Sequence, residues 1–159
     1  MNKLLTDIEK AGFKKRLLNK CIRLIEERIA ATAGAIANAQ DAANSEEKSS
    51  AGDKYETSRA MSHLEKDMHS RQLAANQIEL AALFSIDCST LNDSATAGSF
   101  IQCDDYSFFI AAGLGKLHFE ERDIYVLSPN APVAKLLFKK KQDDIITFNK
   151  MEIIIQAVF

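Results

Sequence analysis

The sequence predicts an α+β protein: an N-terminal antiparallel coiled-coil helical hairpin followed by a small antiparallel sheet domain with one short helix. Three observations carry this reading. Two proline-free stretches, residues 14–43 and 54–84, repeat apolar side chains at helical spacing. A run of Asn, Ser, Gly and Asp over residues 44–53 separates them, and these residue types favour turns and caps. Past residue 98 the pattern changes to short alternating runs bounded by turn residues. The chain therefore divides into a hairpin over residues 1–86 with its tip at about 44–56, a linker over 87–98 and a C-terminal domain over 99–159.

In the first helix Leu18, Ile22, Ile25, Ile29, Ile36 and Ala43 fall on steps of three, four or seven, which makes one stripe. In the second, Met61, Leu64, Met68, Ala75, Ile78 and Ala82 form the corresponding stripe, and we assign it to the hairpin core. Two amphipathic helices joined by a short polar turn make an αα-hairpin.

Residues 87–98 are rich in Ser, Thr, Asn and Asp and read as the linker. Strands are expected over residues 99–103 and 106–112 around an Asp104-Asp105 turn, then over 124–127, 145–148 and 152–158. Between the third and fourth, residues 128–137 suit a helix of two or three turns, capped by Asn130, with Val133, Leu136 and Leu137 on the sheet.

Composition excludes several functions. Basic and acidic side chains number 20 and 22, for a net charge of -2, whereas direct duplex binding draws on a basic excess. The three cysteines, Cys21, Cys88 and Cys103, form no Cys-x-x-Cys pair and suit neither a zinc site nor a secreted disulfide framework. No apolar run reaches the ~20 residues of a membrane span, and the N-terminus lacks a signal-type segment, so a cytoplasmic protein is expected. His63 and His69 lie on different helix faces, and His118 stands alone near a turn. Gly113-Leu-Gly115-Lys116 lacks the remaining residues of a phosphate loop.

One local pattern can carry chemistry. Asp53 and Glu56 stand three apart at the start of the second helix, hence on one face of it. The helix N-terminus favours their ionised forms. The same spacing is a capping box, with Asp53 as N-cap and Glu56 reaching back, and the two roles are compatible.

Two pieces of sequence resemble the bacterial Gre transcript-cleavage factors. Gly52-Asp53-Lys54-Tyr55-Glu56 is similar to that family's tip motif of Gly-Asp, two variable residues and Glu. Residues 126–145, with Ser128-Pro129, a short helix, Lys139-Lys140-Lys141 and Asp143-Asp144, resemble its C-terminal signature. Phe138 stands where that family has Gly, and the turn carries extra residues that include Glu46 and Glu47.

The resemblance implies an FKBP-like C-terminal domain that binds RNA polymerase and a hairpin tip that enters the secondary channel. There Asp53 and Glu56 would serve as catalytic carboxylates, holding Mg²⁺ jointly with the polymerase's own aspartates and stimulating cleavage of backtracked RNA. Tyr55 and Arg59 would neighbour RNA or polymerase. The protein would then be a cofactor of another enzyme's hydrolysis and no enzyme itself. It would have no cofactor of its own, only indirect contact with the RNA 3′ end, no membrane partner and a monomeric state. Two alternatives stand beside it: a channel regulator that does not stimulate cleavage, and a structural coiled-coil adaptor. An adaptor should expose an apolar stripe on the outer face of the hairpin.

Overall fold

A computed structural model describes residues 4–47 and 52–159, with the backbone alone for 46, 47 and 52–55. Helix α1 spans Asp7–Glu47 and α2 spans Gly52–Phe84. Strands β1 (Phe100–Cys103), β2 (Ser107–Ile110), β3 (Gly115–Phe119) and β4 (Arg122–Leu127) follow, then helix α3 (Pro132–Leu137) and strands β5 (Ile145–Phe148) and β6 (Met151–Val158). The fold class is α+β.

Helix α1 begins a full two turns before residue 14 because of a reciprocal cap. The Glu9 amide donates to Thr6 Oγ1 at 3.2 Å while the Thr6 amide donates to the Glu9 carboxylate at 2.7 Å. Thr6-x-x-Glu9 is a capping box, and it was the available signal for this start.

Two compact units divide the chain: one of residues 4–22 and 82–159, the other of residues 23–81. In the first, the six strands form one sheet in the order β3-β4-β2-β1-β6-β5. Four of its pairings are antiparallel; β2 and β4 run parallel, with Phe108 opposite Tyr125. Strand β3, absent from the sequence expectation, forms a tight hairpin with β4, in which Phe119 faces Arg122. Its two turn residues, Glu120 and Glu121, have φ of 44° and 62°, so no glycine announces the turn. Asn149 and Lys150 take the same left-handed conformation between β5 and β6.

Period-two alternation assigns the two sheet faces. Phe100 and its neighbour Phe109 share one face, where Phe13 of α1 meets Phe100 edge-on at 5.0 Å and Phe119 at 5.8 Å. Ile101, Phe108, Ile110 and Ile155 point the other way and pack with Ala134 and Leu137 of α3. The cap of α3 is Ala131, without a side-chain cap bond, and not Asn130: Pro132 sits at the first helical position and sets the start. Leu137 is fully buried and Val133 packs at the core margin, but Leu136 is 48% exposed, a correction to its expected place on the sheet.

Residues 87–98 are a packed segment of this unit and not a free linker. The Asp87 carboxylate accepts bonds from the Ser89 amide, the Ser89 hydroxyl and the Thr90 hydroxyl. Ala95, 1% exposed, exchanges backbone bonds with Lys139 and Lys140. Gly98 has φ +86°, and a Cβ there would lie 2.9 Å from Ile86 Cγ2, so only glycine fits.

Lys14 is fully buried and donates from Nζ to the Thr90 carbonyl at 3.0 Å, tying α1 to this segment. Burial holds its ammonium below the ordinary lysine range, with Cys88 and Asp87 nearby pulling the other way.

In the second unit, α1 and α2 pair antiparallel. Lys66 Nζ donates to Gln40 Oε1 at 2.8 Å, and Arg28 and Thr32 share a groove with Gln72 and Asn76. The α1 stripe faces inward as expected, with Ile25 and Ala43 buried and Ile29 and Ile36 half-buried. The α2 stripe does not. Its half-buried positions include Ser62, Lys66, His69, Leu73, Asn76 and Leu80, whereas Met61, Leu64, Met68 and Ile78 are 66%, 68%, 62% and 72% exposed. The reason is chemical. In its last turns the α1 side of the seam offers Gln40 and small Ala39 and Ala43, which suit a polar, slender partner face better than Met61, Leu64 and Met68.

Candidate functional site

The tip motif lies where α1 gives way to α2. Helix α2 starts at Gly52, so Asp53 is the second helical residue and not the N-cap that a capping box requires. Residues 53 and 56 are both helical, which sets their Cα–Cβ bonds on one side of the helix. The side chains of Asp53 and Tyr55 lie outside the described residues, as do those of Glu46 and Glu47, whose backbone forms the last turn of α1. Glu56 and Arg59 are exposed.

In the last turns of α1 the seam with α2 is polar: the Gln40 amide donates to Asn44 Oδ1 at 3.0 Å while its Oε1 accepts from Lys66. His69 stands 3.7 Å from Glu65, one turn before it. His63 is exposed and does not join it.

The donor chemistry of the tip suits a hard cation. Carboxylate oxygens are the ligands Mg²⁺ selects, but two carboxylates one turn apart supply fewer than the six oxygens it requires. Among the described residues no three His, Cys, Asp or Glu side chains converge on one point. To hold such a cation, Asp53 and Glu56 would need further oxygen ligands.

A second concentration of acid lies on the sheet unit, in an open basin lined by Asp104, Asp105, Glu120, Glu121 and Asp123 together with His118 and Arg122. Three of these five carboxylates, Asp104, Glu120 and Asp123, have bonding partners. Asp123 bonds Lys116 at 2.9 Å and His118 Nδ1 at 2.8 Å, which holds its carboxyl below the ordinary range. Asp104 accepts from Gln156, and Glu120 binds Arg16.

The three cysteines are buried and free. Burial pushes the Cys21 thiol up to about 12 and the Cys103 thiol to about 11, so neither is a nucleophile at neutral pH.

No protein-family model matches the chain, and no curated protein matches its sequence. No helix among the described residues is long and apolar enough to cross a membrane.

Proposed function

We propose that this protein acts on RNA polymerase as a secondary-channel factor of the Gre kind, carrying Asp53 and Glu56 to the polymerase active site and stimulating cleavage of backtracked RNA. The observation that carries the reading is the order of parts: a long antiparallel helix pair with a Gly-Asp-x-x-Glu motif at its turn, then a sheet whose one short helix follows a Ser-Pro step.

The chain's own contribution is positional. With a helical backbone under residues 53 and 56, the two carboxylates would start from one side of the helix, which would lower the entropy cost of assembling a shared site. Mg²⁺ held there would supply Lewis acidity and an acidified bound water. Asp53 and Glu56 would hold it together with ligands of the polymerase, and the protein would remain a cofactor of another enzyme's hydrolysis.

The test is RNA cleavage by purified polymerase in a stalled complex. Asp53→Asn combined with Glu56→Gln should abolish the stimulation and leave polymerase binding intact. Binding with inhibition and no cleavage by the parent protein would identify a channel regulator; no binding at all would overturn the reading.

One observation favours a second reading, the structural adaptor. Met61, Leu64, Met68 and Ile78 form an exposed apolar stripe along α2, the feature that distinguishes an interaction helix from a solvated rod.

A further inference from the structure

The exposed stripe of α2 recurs with coiled-coil spacing. Positions 61, 64, 68, 71, 75 and 78 advance by alternating threes and fours, and all six are exposed. Met61, Leu64, Met68, Ala75 and Ile78 occupy five of them and Arg71 the sixth. On the opposite side of the same helix, Lys66, Leu73 and Leu80 turn toward α1. Helix α2 thus carries two seams, of which the intramolecular one is polar and the outward one is the more apolar.

We propose that the outward seam of α2 is a homodimer interface, in which the helices of two copies pair antiparallel about a two-fold axis between His69 and Ser70. In that register Met61 lies opposite Ile78 of the second copy, Leu64 opposite Ala75, and Met68 opposite the aliphatic stem of Arg71. Each large residue meets a smaller or flexible one, as interdigitated layers require. Because the surface is complementary to itself, a closed two-fold dimer satisfies it.

Charge selects the direction. A parallel pair would stack Arg71 on Arg71 within one layer. The antiparallel pair offsets the two guanidinium groups by about one helical turn along the axis and sets each nearest to Asp67 of the second copy, with Glu65 about one turn away on the other side. Glu65 is 60% exposed and so reachable from outside. The same acidic border disfavours an anionic lipid surface as occupant. A dimer departs from the monomer expected from the sequence, and the inference stands independently of any role at the polymerase.

Sedimentation equilibrium of the full chain over a wide concentration range tests this, with circular dichroism to confirm that each variant keeps its helices. The parent should pass from monomer to dimer. Leu64→Glu, at a fully outward position, should raise the dimer Kd at least tenfold without loss of helix. Arg71→Glu should weaken association, and Arg71→Glu combined with Glu65→Arg should restore it to within about threefold of the parent.

A parent that stays monomeric throughout overturns the proposal, as does a dimer indifferent to Leu64→Glu. A parent that is monomeric alone but loses polymerase binding through Leu64→Glu assigns the stripe to that partner, which likewise overturns the dimer while sparing the polymerase reading.

Discussion

Arg16 of α1 grips Glu120, in the turn between β3 and β4, with two bonds: Nε to Oε1 at 2.6 Å and Nη2 to Oε2 at 3.2 Å. The contact spans 104 positions of sequence and fastens helix to sheet at a turn whose two residues are both left-handed without being glycine. A two-residue hairpin of this twist favours Asn-Gly, so the glutamates cost free energy that the Arg16 fork partly offsets.

The fork holds the Glu120 carboxyl below its ordinary range, first through the hydrogen bond itself. A depressed carboxylate contributes stability above its unfolded value of 4.5 and loses it as pH falls through the lower folded value. Arg16→Ala should remove that acid-side dependence and, because both side chains are well exposed, cost no more than about 1 kcal/mol in urea unfolding. Glu121→Gly should raise stability by about 0.5–1 kcal/mol by relieving the left-handed backbone.

Buried Lys14 gives a prediction of the same sign at the alkaline end of the pH scale. Its folded pKa lies below the ordinary 10.5, so between the two the unfolded chain holds the proton and the folded chain does not. Stability contributed at this site should therefore rise with pH up to 10.5. Lys14→Met should abolish that rise when urea midpoints are compared with the parent from neutral pH upward. Lys14→Ala should cost at least about 1 kcal/mol more than Lys14→Met, since it also loses the packed stem.

Two adjacent leucines of α3 make a sharp contrast. Leu137, fully buried against the sheet, should cost about 2–4 kcal/mol on truncation to Ala. Leu136, 48% exposed, should cost under about 1 kcal/mol. Equal losses in a denaturant titration would mean that α3 sits rotated from its place here.

The thiols should be protected by the fold. Cys21 and Cys103 titrate at about 12 and 11 when folded against an ordinary 9.0, so above pH 9 the unfolded chain releases protons that the folded chain keeps. Stability should fall with pH in that window, and Cys21→Ala should flatten the fall. Alkylation by iodoacetamide at pH 8 should be slow and should accelerate only across the urea transition.

The sequence by itself determined the order and type of most elements. The proline-free periodic stretches specified two long helices, and Asp104-Asp105 and Asn149-Lys150 marked two hairpins, because helical spacing and turn chemistry are local properties. The Gly-Asp-x-x-Glu motif was equally legible, being five consecutive residues. Tertiary structure alone decided what the elements face. On α2 the most apolar stripe is not the packed one, since periodicity reveals that a helix has a face but not which face its neighbour fits. The parallel pairing of β2 with β4 and the burial of Lys14 against Thr90 are settled between residues far apart in the chain. No local pattern records such pairings, because their free energy exists only once both partners are in place.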